Sequence, residues 1–286
     1  MRRVPMKVQL SRELALDVAA IVGPAVVSSL AMLIPIENFL SKYPFGVQYA
    51  WYYPWRGMFV ALLLWIFSGA TYSEKRYFLK KVFLGSSAAF VTFHYSQLWV
   101  VSRYVRVQLM PLFYLVGEHS PFFLDMGLVV LILTLLAFRK EVSTPSSQER
   151  RSESRGVVVG GWREIVLYAL TIVGLLVFLL SLRFVLSTPV PLAVVSSWSM
   201  EPVLHVGDVV VVAGGNSYTL GDIVIYERGG ELIVHRIVLS VNGKYVTKGD
   251  ANPQADNIVL GKDAIYGKVQ IVIPYIGALK LIFYKG

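Results

Sequence analysis

Residues 231–250 read ELIVHRIVLSVNGKYVTKGD, two runs rich in Val, Ile and Tyr joined by Asn242-Gly243 and closed by Gly249-Asp250. Asn-Gly between β-forming runs is a strong hairpin signal, because both central turn residues must adopt positive φ. The same texture continues on either side: LAVVS at 192–196, DVVVVAG at 208–214, DIVIYERGG at 222–230 and AIYGKVQIVIPYIG at 264–277. Residues 188–286 are therefore expected to form a mostly antiparallel β domain able to bury its own core. The closing PYIGALKLIFYKG at 274–286 is apolar but too short to cross a bilayer, which leaves a core helix or a segment resting on lipid.

Upstream the texture changes. The chain is 55% hydrophobic with a mean hydropathy of +0.59, far more apolar than a soluble domain of this length needs. Apolar stretches near 13–36, 50–72, 82–101, 121–138 and 164–187 each approach the roughly 20 residues a membrane helix requires. The expected fold class is a multi-pass α-helical membrane region of about five transmembrane helices followed by the β domain. Residues 1–138 would form a four-span unit, 139–163 a Ser-, Arg- and Gly-rich cytoplasmic linker, 164–187 an anchor helix, and 188–286 the outer domain.

The net charge of +9 matters through its placement. Arg2, Arg3, Lys7 and Arg12 precede the first stretch; Lys75, Arg76, Lys80 and Lys81 follow the second; Arg139, Lys140, Arg150, Arg151, Arg155 and Arg163 follow the fourth. The alternate connections hold only Lys42, Arg56, Arg103 and Arg106. This positive-inside bias predicts a cytoplasmic N-terminus and, after five crossings, an extracytoplasmic β domain on a multi-pass plasma (cell) membrane protein. From residue 189 onward the charges balance, so the basic excess gives no reason to expect a nucleic-acid partner. The first residues run into an apolar span without a small-residue cleavage site and are expected to stay. The absence of cysteine excludes disulfides, thiolate catalysis and cysteine-based zinc sites.

A serine hydroxyl becomes a nucleophile only beside a base that a third group orients. Ser199, in SSWSMEP, follows an apolar run. His235 shares a strand face with Ile233 and Ile237, whereas Arg236 shares the opposite face with Val234 and Val238. A histidine on an apolar face is more often a satisfied core residue than a base, and Asp250, in a Gly-Asp loop, is as well suited to an Asx turn as to chemistry. Asp250 and Asp256 both lie in TKGDANPQAD, a loop after a strand, where scaffolds present functional side chains.

Three boxes in order, SWSMEP at 197–202, HRI at 235–237 and KGDANPQAD at 248–256, resemble those of type I signal peptidases. The likeness covers about the last 120 residues, counted from the fifth apolar stretch. HRI stands where one branch of that family has its lysine base, so the chain resembles the histidine branch typical of archaea and the endoplasmic reticulum, and an archaeal source is expected. The resemblance implies Ser199 as nucleophile, His235 as base, Asp256 as orienting acid and Asp250 as a supporting carboxylate, with either aspartate free to contact the histidine. It implies Ser197 and Met200 as oxyanion- or substrate-binding positions. Trp198 departs from the glycine common there.

The function implied is a membrane-bound serine endopeptidase that removes signal peptides by acyl-enzyme chemistry at the outer membrane face. It would need no metal or other cofactor. Its partners would be secretory precursors, bound as extended strands with small side chains selected, the lipid bilayer and a translocation channel. The competing reading is a non-enzymatic membrane scaffold or translocation partner whose outer β domain binds peptides; it accounts for the apolar stretches but not for the three boxes.

Overall fold

A computed structural model describes residues 6–43, 49–71, 77–142 and 162–283, so most of the expected 139–163 linker lies outside the described residues. Seven α-helices and ten strands are described: α1 (Met6–Ala31), α2 (Ile36–Leu40), α3 (Tyr52–Ala70), α4 (Tyr77–Val101), β1 (Val107–Met110), β2 (Phe113–Val116), β3 (Phe122–Leu124), α5 (Met126–Val142), α6 (Trp162–Val185), β4 (Leu192–Val194), β5 (Val209–Ala213), β6 (Ile223–Arg228), β7 (Glu231–Val241), β8 (Lys244–Lys248), β9 (Leu260–Gly261), β10 (Ile265–Ile273) and α7 (Gly277–Phe283).

The five-span expectation is corrected here. Among the described residues one helix, over Glu13–Ala31, is long and apolar enough to cross a membrane by length and composition; Met126–Arg139 and Ala169–Val185 are shorter apolar helices. Helices form where the second and third spans were expected, but their polar residues serve packing within the protein. In α3 the buried Arg56 donates to Glu37 through Nε (2.9 Å) and Nη2 (2.5 Å) and to the Met32 carbonyl (2.7 Å). It is therefore not a loop charge, and its ion pair is tolerable in a dry interior because the guanidinium's hydrogen bonds are satisfied. In α4, Ser86, Ser87, His94 and Gln97 are buried. The topology argument built on five crossings goes with them.

The helices pack closely. A Cβ added at Gly85 on α4 would stand 2.1 Å from the Ile21 carbonyl oxygen of α1, so only glycine permits this approach.

The sheet is mostly antiparallel, as expected, and is made mixed by a single parallel pairing among the described residues; it runs β1-β2-β3-β10-β6-β7-β8-β9, with β5 pairing both β10 and β4. Its one parallel pair joins Ile271 and Val272 of β10 to Phe122 and Phe123 of β3, a strand upstream of the region expected to hold the β domain. Helices and sheet share one core, in which Trp51, Tyr52, Trp55 and Phe90 cluster with Trp198, Met200, Leu204, Val210 and Tyr275. At its centre His94 bonds Tyr275 Oη through Nδ1 and Asp125 Oδ1 through Nε2, both at 3.1 Å. The final apolar segment is thus tied to α4, as a core element.

Candidate active site

The predicted hairpin is β7–β8, with positive φ at Asn242 (50°) and Gly243 (72°). Register then decides which side chains meet. His235 lies opposite Val224, Ile233 opposite Tyr226, and Ile237 opposite Thr247. Residues opposite one another share a sheet face, so Tyr226 and Thr247 join His235. All three converge on one carboxylate oxygen. Asp256 Oδ2 receives Thr247 Oγ1 at 2.6 Å and Tyr226 Oη at 3.0 Å, and lies 2.6 Å from His235 Nδ1.

Burial alone would raise the Asp256 carboxyl, but hydrogen bonds from Thr247 and His235, with the His235 charge and Tyr226, outweigh it and hold the carboxyl below its usual range. Tyr226 moves the other way, pushed up to about 12 by burial and by Asp256, which keeps its hydroxyl a donor. An ionised Asp256 favours the His235 tautomer with hydrogen on Nδ1, leaving Nε2 as an acceptor. Among the described residues Nε2 has no hydrogen-bond partner.

Of the two aspartates left open by the sequence, Asp256 is the one in contact with His235. Asp250 is clamped by Arg236, which donates Nε to Oδ1 (2.8 Å) and Nη2 to Oδ2 (2.7 Å). Arg236 Nη1 reaches the Gly221 carbonyl at 2.9 Å. Because Arg236 faces away from His235, Asp250 braces the loop from the other side of β7.

Ser199 is half-buried in the loop between β4 and β5. Its hydroxyl lies 3.3 Å from Ser197 Oγ and makes no hydrogen bond to His235. The two are held by one segment. Ala251 N donates to the Ser199 carbonyl at 2.9 Å, and the same 249–256 loop ends at Asp256 against His235. A Cβ at Gly249 would come within 2.5 Å of the Ser199 carbonyl oxygen, so glycine lets the two loops touch. Met200 is fully buried, so its side chain anchors the loop rather than facing a ligand.

Sequence reasoning missed what lies beneath this loop. Glu201, buried, accepts Trp51 Nε1 (2.8 Å) and Tyr52 Oη (2.6 Å) from the start of α3 and lies 2.7 Å from His205 Nδ1. Val206 N donates to Tyr52 Oη at 3.0 Å. Trp198, replacing the usual glycine, donates its indole N–H to the Tyr43 carbonyl at 2.8 Å. Only the aromatic cluster at 49–55 hinted at such a role, and it reads equally as membrane-interface residues.

Burial would lower the His205 imidazole, but the Glu201 charge and hydrogen bond, aided by Asp208, raise it above its ordinary value. A raised histidine contributes stability that is complete below about pH 6.5, its unfolded value, and fades as pH climbs through the folded value. Replacing His205 with Gln should therefore lower the melting temperature by about 2–4 °C at pH 6.5. The gap to wild type should narrow by pH 9 in a thermal-unfolding series; a constant gap would mean the charge plays no part.

A groove of about 340 Å³ opens beside Ser197. One wall is 192–197 and the other 230–234, with Lys42, Tyr43 and Lys280 at its margins. β4 pairs only with β5, and β7 over 231–234 only with β6, so each wall presents an unpaired strand edge among the described residues.

Comparison with known proteins supplies the relatives. A family model described as Peptidase S24-like matches residues 179–271. The signal peptidase complex catalytic subunit SEC11 of Colletotrichum graminicola is 35% identical over 117 residues, 35% of this chain and 68% of that protein. SEC11 of Clavispora lusitaniae is 32% identical over 117 residues, 36% of this chain and 70% of its own length. SEC11C of Canis lupus familiaris is 32% identical over 108 residues, 32% and 56% of the two chains. These relatives are eukaryotic and lend no support to the expected archaeal source.

Proposed function

The chain belongs to the family of signal peptidase catalytic subunits and is a serine peptidase; from that premise we propose that it removes signal peptides with Ser199 as nucleophile, His235 as general base and Asp256 as the carboxylate orienting that base. The observation that carries the assignment is the 2.6 Å contact between His235 Nδ1 and Asp256, which leaves Nε2 available to a hydroxyl.

In this reading Ser199 Oγ bonds to the scissile carbonyl carbon as Nε2 takes its proton. The tetrahedral intermediate then breaks its C–N bond while Nε2 returns the proton to the departing amine. Water repeats the sequence on the acyl-enzyme and releases the new carboxylate. Ser197, whose hydroxyl is 3.3 Å from that of Ser199, donates to the oxyanion in this reading. Met200, its side chain buried, contributes through the backbone beside the nucleophile. In this mechanism the Ser199 hydroxyl turns from Ser197 towards His235 before attack. The substrate lies in the groove as an extended strand between the free edges of β4 and β7. Ala193, Val194, Ile233 and Val234 line it and leave room for small side chains.

The enzyme works at a membrane. Support comes from the Glu13–Ala31 span and from α6, where Leu170, Val173, Leu176, Leu180 and Phe184 are all more than half exposed. A helix apolar all round calls for lipid or protein around it. Secretory precursors would reach a site held at the membrane already oriented by their own apolar helix.

The test is to incubate the full-length protein, reconstituted in lipid vesicles, with a precursor carrying one defined cleavage site. Mass spectrometry should find a single new N-terminus following a small residue. No cleavage, or cleavage scattered along the precursor, would overturn the proposal.

A further inference from the structure

The groove has a third side, formed by a segment far from the three boxes. Ser41 and Lys42 follow α2, and their ties to the nucleophile wall are mostly main-chain. Lys42 N donates to the Ser196 carbonyl at 2.9 Å, Ser41 Oγ lies 3.3 Å from the same oxygen, and Trp198 Nε1 donates to the Tyr43 carbonyl at 2.8 Å. Ser41 and Trp198 are buried, so these contacts are anchored in the core. Ser41 N also closes α2 by donating to the Glu37 carbonyl at 2.9 Å, and Glu37 is itself held by Arg56.

From this anchorage the side chains cross to the opposite wall. Lys42 Nζ reaches Glu231 Oε1 at 2.9 Å, and Tyr43 Oη donates to Glu231 Oε2 at 3.1 Å. Glu231 opens β7, the strand forming that wall. One segment is thus fixed to both sides of the groove, beside Ser196 and Ser197. An exposed ion pair alone would fix little. Here it closes a connection whose other end is held by hydrogen bonds from buried groups.

We propose that Ser41–Tyr43 is a strap over the substrate groove, and that Lys42, Tyr43 and Glu231 determine which substrates fit by limiting side-chain size just upstream of the scissile bond. This inference rests on the groove being the substrate site. Two consequences follow from the geometry. The Ser196 carbonyl, taken by the strap, is withdrawn from pairing with a substrate strand, so main-chain recognition on that wall falls to 192–195. The methylenes of Lys42 and the ring of Tyr43 narrow the space into which alternate side chains of an extended peptide point. The strap lies outside residues 179–271, which the family model matches, so the N-terminal part of the chain contributes selectivity to a site built by the C-terminal part.

The experiment measures binding rather than turnover. Two fluorescent precursor peptides differ only in carrying Ala or Phe three residues before the cleavage site, and their affinities are read by anisotropy on full-length protein bearing Ser199→Ala. The strapped protein should prefer the Ala peptide by about 10-fold or more, the scale on which pocket size discriminates. With Lys42→Ala and Tyr43→Ala added, the Phe peptide should tighten until the preference falls below about threefold. Glu231→Ala, which releases the strap from the other wall and leaves its main-chain ties intact, should act in the same direction. A preference unchanged in both variants would overturn the strap as a selectivity element. Failure of the Ser199 assignment registers separately, as cleavage that persists in the Ser199→Ala protein, and failure of the protease reading as a wild-type protein that binds the peptides without cleaving them.

Discussion

Replacing Ser199 with Ala should lower kcat for a model precursor by about 10⁴-fold or more, with little change in KM. In the proposed mechanism the hydroxyl forms the covalent bond, so no neighbouring group can substitute for it in the acylation step. The structural cost should be small. Ser199 is half-buried, its hydroxyl has a single 3.3 Å side-chain contact to Ser197, and its carbonyl keeps the bond from Ala251 N whatever the side chain. A variant that melts like wild type and still cleaves would remove Ser199 from the chemistry. Single-turnover kinetics would show which of acylation and product release had been lost.

The second large effect is expected at Asp256. Asn at this position keeps the shape but removes the charge that stabilises the imidazolium, and its amide can turn an N–H towards His235 Nδ1. Either outcome weakens the base: a neutral partner gives the imidazolium no support, and a donating amide forces the proton onto Nε2, where the nucleophile needs an acceptor. The expected loss in kcat is about 10³–10⁴-fold. Asp250→Asn should cost less than about tenfold, because Asp250 is paired with Arg236 on the opposite face of β7 and not with His235. Steady-state kinetics on the two variants decides between the aspartates. A large loss at Asp250 with a mild one at Asp256 would reverse their roles.

The parts of this protein that were legible in its sequence are those governed by short-range rules. The β7–β8 hairpin followed from Asn242-Gly243 between β-forming runs, and strand alternation separated His235 from Arg236. The face shared by Tyr226, His235 and Thr247 followed from the same alternation once register was fixed. Register itself was not legible, and the roles of Asp250 and Asp256 depended on it.

Longer-range contacts were hidden for a different reason. β1, β2 and β3 are runs of three or four residues, and β3 pairs with β10 across almost 150 positions of chain, a partnership no local pattern encodes. The membrane half was over-read because hydropathy does not distinguish apolar residues meant for lipid from those that bury Trp55, Phe90 and the Arg56–Glu37 pair inside the protein. Glu201, a single acidic residue in the SWSMEP box, showed its purpose only when Trp51 and Tyr52 were found donating to it from α3. Residues 41–43 and 49–55 therefore belong to the architecture of the site, although nothing in their composition points to catalysis.

The most direct test of the central assignment is the mass of the protein after reaction with a fluorophosphonate that modifies activated serine hydroxyls. One adduct should form, on the peptide carrying Ser199, and it should fail to form when His235 is replaced by Ala, because the hydroxyl then lacks the base that activates it. An adduct on a different serine, or equal labelling of Ser199 without His235, would contradict the account.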